Sequence, residues 1–228
     1  MADLTPSVAV IPTKNRFSFL RDCVDSIAAQ VHTVIVVDNG STPPVKPPGL
    51  PIHAEKRIIR HVEYPPNISR LWNLGIDQAI RVAEDAGWAE WNVLVLNDDT
   101  VSPCGLVETL SQEMRATTAV CAYPSQSGTG RRILHTVPRP TCADEAFCGY
   151  CFMLRGEAGL RADEDFVWWF GDNDLSWRAC QSGGCLLVPG IKVEHRAPHV
   201  QTRADPRLSA QTRIDHLVWQ RKWGFHRP

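Results

Sequence analysis

Three short runs of aliphatic β-formers constrain this chain more than any other feature: Val8-Ala9-Val10-Ile11, Val34-Ile35-Val36-Val37 and Val93-Leu94-Val95-Leu96. None alternates apolar with polar residues, so each reads as a strand buried on both faces, the condition inside a parallel sheet covered by helices. Helical periods fill the gaps. From Ser18 to Gln30 the apolar positions are Phe19, Leu20, Cys23, Val24, Ile27 and Ala28, and from Ser69 to Ala86 they include Leu71, Leu74, Ala79, Ile80 and Ala83, closed by Gly87. After the third run, Ser102 is expected to cap a helix with Pro103 at its first position. A Pro-rich loop from Pro43 to Pro51 and a weak strand near Ile58 to Val62 complete the first half.

Right-handed crossovers bring the C-terminal ends of parallel strands to one edge, where open α/β sheets bind ligands. Pro12, which stops the first strand, and Thr13 should therefore meet Asp38-Asn39-Gly40 and Asn97-Asp98-Asp99 there. Carboxylates in such a crevice can hold a divalent cation, and through it phosphate. An Asp-rich turn before a helix explains the same residues. No G-x-G-x-x-G or Walker A pattern follows any strand, which argues against a dinucleotide or P-loop site.

The second half is less regular. A Gly/Ser loop from Ser125 to Arg132 precedes a short strand at Ile133 to Val137 and another over 147–154. The aromatic-acidic stretch Asp163 to Asp174 leads into a helix over Leu175 to Gln181, ended by Gly183-Gly184. Cys185 to Val188 reads as a strand, Ile191 to His195 as extended chain, and Ser209 to Trp223 as a terminal amphipathic helix. Repeats and clean linkers are missing, so residues 1–228 are read as one α/β domain with a mostly parallel central sheet and an elaborated C-terminal half.

Apolar residues make up 43% and charged residues 21% of the 228, an ordinary balance for a water-exposed globular chain. The longest apolar runs are far too short for a transmembrane segment. The first residues lack the basic and apolar regions of a signal peptide, so a cytoplasmic location is expected. The eight cysteines mostly sit singly in apolar surroundings and read as reduced, buried thiols; Cys148 and Cys151 form one C-x-x-C with no second pair to complete a zinc site. The net charge of −1 divides unevenly, +5 over residues 191–228 and −6 over the rest. The basic segment suggests an anionic partner, whether diphosphate, nucleic acid or lipid, or else a solvated tail.

Four pieces stand in order: Val10-Ile11-Pro12-Thr13-Lys14-Asn15-Arg16; Val36-Val37-Asp38-Asn39-Gly40-Ser41; Asn97-Asp98-Asp99; and Gly171-Asp172-Asn173-Asp174-Leu175-Ser176-Trp177-Arg178 followed by Gly183-Gly184 and Val193-Glu194-His195. As a set, from about residue 7 to residue 224, they resemble the family 2 glycosyltransferases, inverting enzymes of GT-A fold that use nucleotide-diphospho-sugars. The resemblance implies a nucleotide-sugar-binding half over about 1–123 and an acceptor and catalytic half over about 124–228. It implies that Pro12 and Thr13 line a nucleobase pocket, that Asp38 contacts base or ribose, and that Arg16, Asn39, Arg70 and Asn73 belong to the donor site. An Asx-turn is the structural alternative for Asp38.

By the same resemblance Asn97 and Asp98 approach ribose and metal, Asp99 is the direct metal ligand, and His195 is a second ligand, with His199 a competitor. Imidazole favours Mn²⁺ over Mg²⁺. Asp172 matches the catalytic base. Trp168, Trp169 and Phe170 fit a sugar-stacking wall or, alternatively, core packing. Asp174 could share the base role, face the acceptor, cap the helix or orient Arg178. Two residues depart from the family pattern: Gly171 stands where Glu is common, which removes a carboxylate beside the base, and Asn67 stands where Gly is usual, with Asn able to keep a left-handed turn. The implied reaction is metal-dependent transfer from a nucleotide-diphospho-sugar, UDP-sugar favoured, to a hydroxyl on a glycan, lipid-linked glycan, protein or hydroxylated DNA base. A non-catalytic nucleotide- or glycan-binding module of the same fold is the alternative.

Overall fold

The computed structural model describes residues 5–46, 55–197 and 200–224. In chain order its strands are β1 (Ser7–Thr13), β2 (Thr33–Asn39), β3 (Glu55–His61), β4 (Asn92–Leu96), β5 (Thr100–Val101), β6 (Cys121–Pro124), β7 (Ile133–His135), β8 (Cys151–Arg155), β9 (Cys185–Val188) and β10 (Glu194–His195). The α-helices are α1 (Phe17–Ile27), α2 (Ile68–Ala86), α3 (Leu106–Arg115), α4 (Gly171–Gln181), α5 (Val200–Ala204) and α6 (Pro206–Trp223). Eight strands form one sheet in the order β3-β2-β1-β4-β8-β6-β9-β7, and β5 pairs with β10 in a separate ribbon. The three aliphatic runs are its parallel centre, in register as Val8 with Thr33 and Val93.

Every residue of β1, β2 and β4 is buried, and the pleat divides them between two cores. Val8, Val10, Val37 and Val95 pack with Leu71, Trp72 and Ile76 of α2. Ala9, Ile11, Val36 and Leu94 pack on the other face with Leu20 and Val24 of α1 and Leu106 and Leu110 of α3. Gly75 sets how closely α2 lies on the sheet, because a Cβ there would meet Val10 Cγ1 at 2.1 Å. Strands from both halves of the chain share the sheet, since β4 pairs antiparallel with β8, which pairs with β6.

Several boundaries differ from the sequence reading. Pro12 does not stop β1, which runs on to Thr13; its pairing with β4 ends at Val10, so beyond that point it has one strand neighbour and tolerates a missing N–H. Asn67 is not left-handed: at φ −97° it is the N-cap of α2, its side chain accepting the Arg70 N–H at 3.0 Å. Ser102 does not cap α3, which starts after Gly105; Thr100 and Val101 form β5 instead. α4 begins at Gly171 rather than Leu175, which puts Asp172 in its first turn. β8 begins only at Cys151, leaving Gly149 and Tyr150 in the preceding turn. Residues 47–51 of the Pro-rich loop, and His199, lie outside the described residues.

All eight cysteines are free, and burial pushes the Cys23 and Cys148 thiols up to about 12. The C-x-x-C is packing: Cys148 Sγ donates to the Pro124 carbonyl at 3.1 Å. Among the described residues no helix is long and apolar enough to cross a membrane.

Candidate active site

The C-terminal ends of β1, β2 and β4 open into a cleft of about 1260 Å³. Pro12, Thr13, Arg16, Asn39, Asn97, Asp98 and Asp99 line it, together with Gly149, Tyr150, Trp168, Trp169, Asp172 and His195 from the second half of the chain. Asp98 and Asp99 share one cation, the guanidinium of Arg16, with Nη1 2.9 Å from Asp98 Oδ1 and Nη2 2.9 Å from Asp99 Oδ2. The Thr13 hydroxyl donates to Asp98 Oδ2 at 2.7 Å. Burial outweighs both partners at Asp98 and pushes its carboxyl up to about 6. At Asp99 burial also pushes upward, but His195 and Arg16 together overcome it and hold the carboxyl below its ordinary value.

The β5–β10 ribbon carries His195 to the acidic pair. His195 lies opposite Thr100 in register, and the Arg196 N–H donates to the Asp99 carbonyl at 3.0 Å. His195 Nε2 lies 3.3 Å from Asp99 Oδ1, and its ring stacks on Tyr150 with centroids 4.4 Å apart. Asp99 Oδ1 is buried and accepts no hydrogen bond among the described residues. An orphaned carboxylate oxygen beside an imidazole nitrogen is a donor pair suited to a divalent cation, since two adjacent ligands of one octahedral ion at ~2.1 Å sit about 3 Å apart. Among the described residues no group of three or more His, Cys, Asp or Glu is arranged to hold a metal. An ion here would therefore take its remaining ligands from substrate oxygens and water, as hard cations on phosphates commonly do.

Asp172 lines the same cleft from the first turn of α4. One oxygen accepts the Asn173 N–H at 2.9 Å, and burial pushes the carboxyl above its ordinary value. Gly149 holds the space for it: a Cβ at that position would lie 2.0 Å from Asp172 Oδ2. The position before Asp172 has no room for a larger residue either, because a Cβ on Gly171 would meet Ser69 Oγ at 2.5 Å.

Trp168 and Trp169 enter the cleft because Asp215 of α6 fixes their backbone. Its Oδ2 accepts both N–H groups at 2.8 Å, and its Oδ1 accepts that of Val167 at 3.2 Å. The Trp168 indole then donates to Thr202 at 2.8 Å. Phe170 instead joins the core, stacked against Trp219 at 5.9 Å.

Four of the residues assigned from sequence do not line the cleft. Asp38 is fully engaged in the fold, accepting from Ser41 N–H at 2.8 Å and Val45 N–H at 3.2 Å and pairing with Arg60 at 3.0 Å, the turn-forming alternative. Side chains alternate along a strand, so Asn39 faces the cleft where Asp38 does not. Its Nδ2 is buried without a hydrogen-bond partner among the described residues. Arg70 pairs with Glu63 and Glu164, and Asn73 is bound to Ala162 and Glu164. Asp174 is wholly buried between Arg178, Lys222 and the Trp223 indole. Sequence reasoning missed Gly149 and Tyr150, hidden in an alternating segment that looks like strand, and Thr202 and Leu208 at the C-terminal wall.

The sequence profile described as Glycosyl transferase family 2 matches residues 8–150. No curated protein matches significantly. Among solved structures, S. aureus TarS 1-349 aligns over 97% of this chain and 72% of its own, at a TM-score of 0.56 and 12% identity. The same fragment in complex with UDP gives a TM-score of 0.58. GalNAc-T7, crystallised with UDP, GalNAc and Mn²⁺, aligns over 86% of this chain and 44% of its own, at a TM-score of 0.58 and 16% identity. These likenesses establish the shared fold, GT-A. With the profile covering more than half the sequence, from β1 to the turn before β8, the chain belongs to glycosyl transferase family 2.

Proposed function

We propose that this chain is a metal-dependent inverting glycosyltransferase that moves a sugar from a nucleotide-diphospho-sugar, UDP-sugar favoured, to an acceptor hydroxyl. The observation that carries the reading is one cleft lined both by the Asp99–His195 pair and by the buried carboxyl of Asp172. Pro12, Thr13 and Asn39 hold the nucleobase end, with the spare Asn39 amide donor meeting a base carbonyl. Asn97 and Asp98 orient the ribose. Asp99 and His195 hold Mn²⁺ or Mg²⁺, which when bound neutralises charge on the departing nucleoside diphosphate. Arg16, already on both carboxylates, supplies a second positive group on the same side. Asp172 accepts the proton of the attacking hydroxyl, a task suited to a carboxylate of raised basicity. Trp168 and Trp169 provide apolar faces for sugar rings.

Three solved structures of similar fold hold UDP or UDP-GlcNAc, one of them together with Mn²⁺, which supports a UDP-sugar donor and a metal here. The test is nucleotide release from a panel of nucleotide-sugars with Mn²⁺ added or chelated. UDP-sugar turnover that requires the ion and is lost in Asp99→Ala is the expected result. Full turnover in chelator, or in that variant, would remove the metal role.

A further inference from the structure

The solvent face of α6 is unusual for a helix exposed to water. Arg207, Arg213, Ile214, Leu217 and Arg221 are all exposed. At about 100° per residue they fall within roughly one third of the circumference, opposite the buried Leu208, Asp215 and Trp219. Ile214 is 53% and Leu217 61% exposed. The one acid within α6, Asp215, is buried beneath Trp168 and Trp169, and the N-cap carboxylate Asp205 stands beside Arg207 and Tyr64 at the N-terminal end; from Arg213 to Arg221 the face carries two arginines and two large aliphatics with no acid of α6 among them. Ordinary exposed helices intersperse both signs. Tyr64 extends the patch at its N-terminal end, half exposed, with the Arg207 guanidinium 4.8 Å from its ring centroid.

We propose that this face docks the protein on an anionic lipid surface, its arginines against lipid phosphates and Ile214 and Leu217 at the headgroup–acyl boundary. Charge complementarity selects the anion, and the interleaved aliphatics select a bilayer over a soluble polyanion. A nucleic acid would use aromatic faces for its bases; the arc of α6 has none, and Tyr64 at its edge already has the Arg207 guanidinium over its ring. Tyr64 also lines the cleft, so the patch reaches its mouth. Docking would bring that mouth to the lipid surface, where an acceptor carried on a headgroup lies within reach. This last consequence rests on the proposed transfer reaction; the docking does not.

The test is co-sedimentation of the full chain with phosphatidylcholine vesicles, with and without phosphatidylglycerol. Binding is expected only to the anionic vesicles. It should weaken roughly fivefold for each arginine lost in Arg213→Gln and Arg221→Gln, and about tenfold or more in the double variant Ile214→Ser, Leu217→Ser. These side chains are exposed, so unchanged far- and near-ultraviolet circular dichroism is expected to certify the fold. No binding to anionic vesicles would overturn the proposal. So would binding undiminished by the aliphatic changes and abolished by soluble polyphosphate, which would identify a polyanion site. Neither reading depends on donor turnover, so failure here is distinct from failure of the catalytic account.

Discussion

Asp98 and Asp172 show how burial sets the working state of a carboxyl. Asp98 is raised from 3.8 to about 6 in the folded chain, so the fold binds its proton more tightly than the unfolded chain does. The stability associated with the neutral acid is complete below pH 3.8 and is lost as pH rises through about 6. About two pH units correspond to roughly 3 kcal/mol. Asp98→Asn should therefore gain ~1–3 kcal/mol relative to wild type between pH 4 and pH 8 in denaturant titrations, while impairing donor use. An equal effect at both pH values would contradict the burial argument. Asp172 is also raised, but in the proposed reaction it works ionised, as the base. The acid limb of kcat/KM should consequently lie above the ordinary aspartate value of 3.8, activity falling as pH drops through it. Gly149→Ala tests the space kept for that carboxyl, since its methyl would stand 2.0 Å from Oδ2. A fall of about 100-fold in kcat with little change in donor KM is expected.

At the scale of elements, α6 reaches across the molecule to shape the cleft through Asp215. Removing that carboxylate leaves three backbone N–H groups without their acceptor. Asp215→Ala should cost about 3 kcal/mol or more in thermal or denaturant unfolding, and any folded fraction should bind acceptor poorly while keeping donor affinity. Asp215→Asn, which retains one carbonyl acceptor, should recover part of both. The parallel centre of the sheet was legible because β1, β2 and β4 are continuous aliphatic runs that only burial on both faces explains. β6 was not: Cys121-Ala122-Tyr123-Pro124 is too short for any period and is defined by the strands beside it. Ser102-Pro103 imitates a helix start, yet α3 begins only after Gly105, and β5 is dictated by pairing with a segment more than 90 residues away.

For the molecule as a whole, the candidate site was legible where strand topology delivers residues and obscure where neighbouring loops decide their fate. Thr13, Asn97, Asp98 and Asp99 follow from parallel strands ending at one edge. Asp38 shares that edge, yet Ser41, Val45 and Arg60 absorb its carboxylate, and no local pattern announces this. Arg70 and Asn73 are held by Glu164 and Asp174 by Lys222, partners distant in sequence, while Arg178, four residues on, is the partner the sequence offers for Asp174. What tertiary packing adds is one cleft that holds both the Asp99–His195 pair and Asp172, which the proposed reaction divides into a metal-and-diphosphate end and a base. That division is the central claim, and Asp172→Asn tests it most directly, with UDP-sugar affinity measured calorimetrically in the presence of Mn²⁺ beside the rate of sugar transfer. The account predicts donor affinity within about threefold of wild type and transfer reduced by at least ~10²–10⁴-fold. Undiminished transfer would place the base elsewhere in the cleft and contradict it.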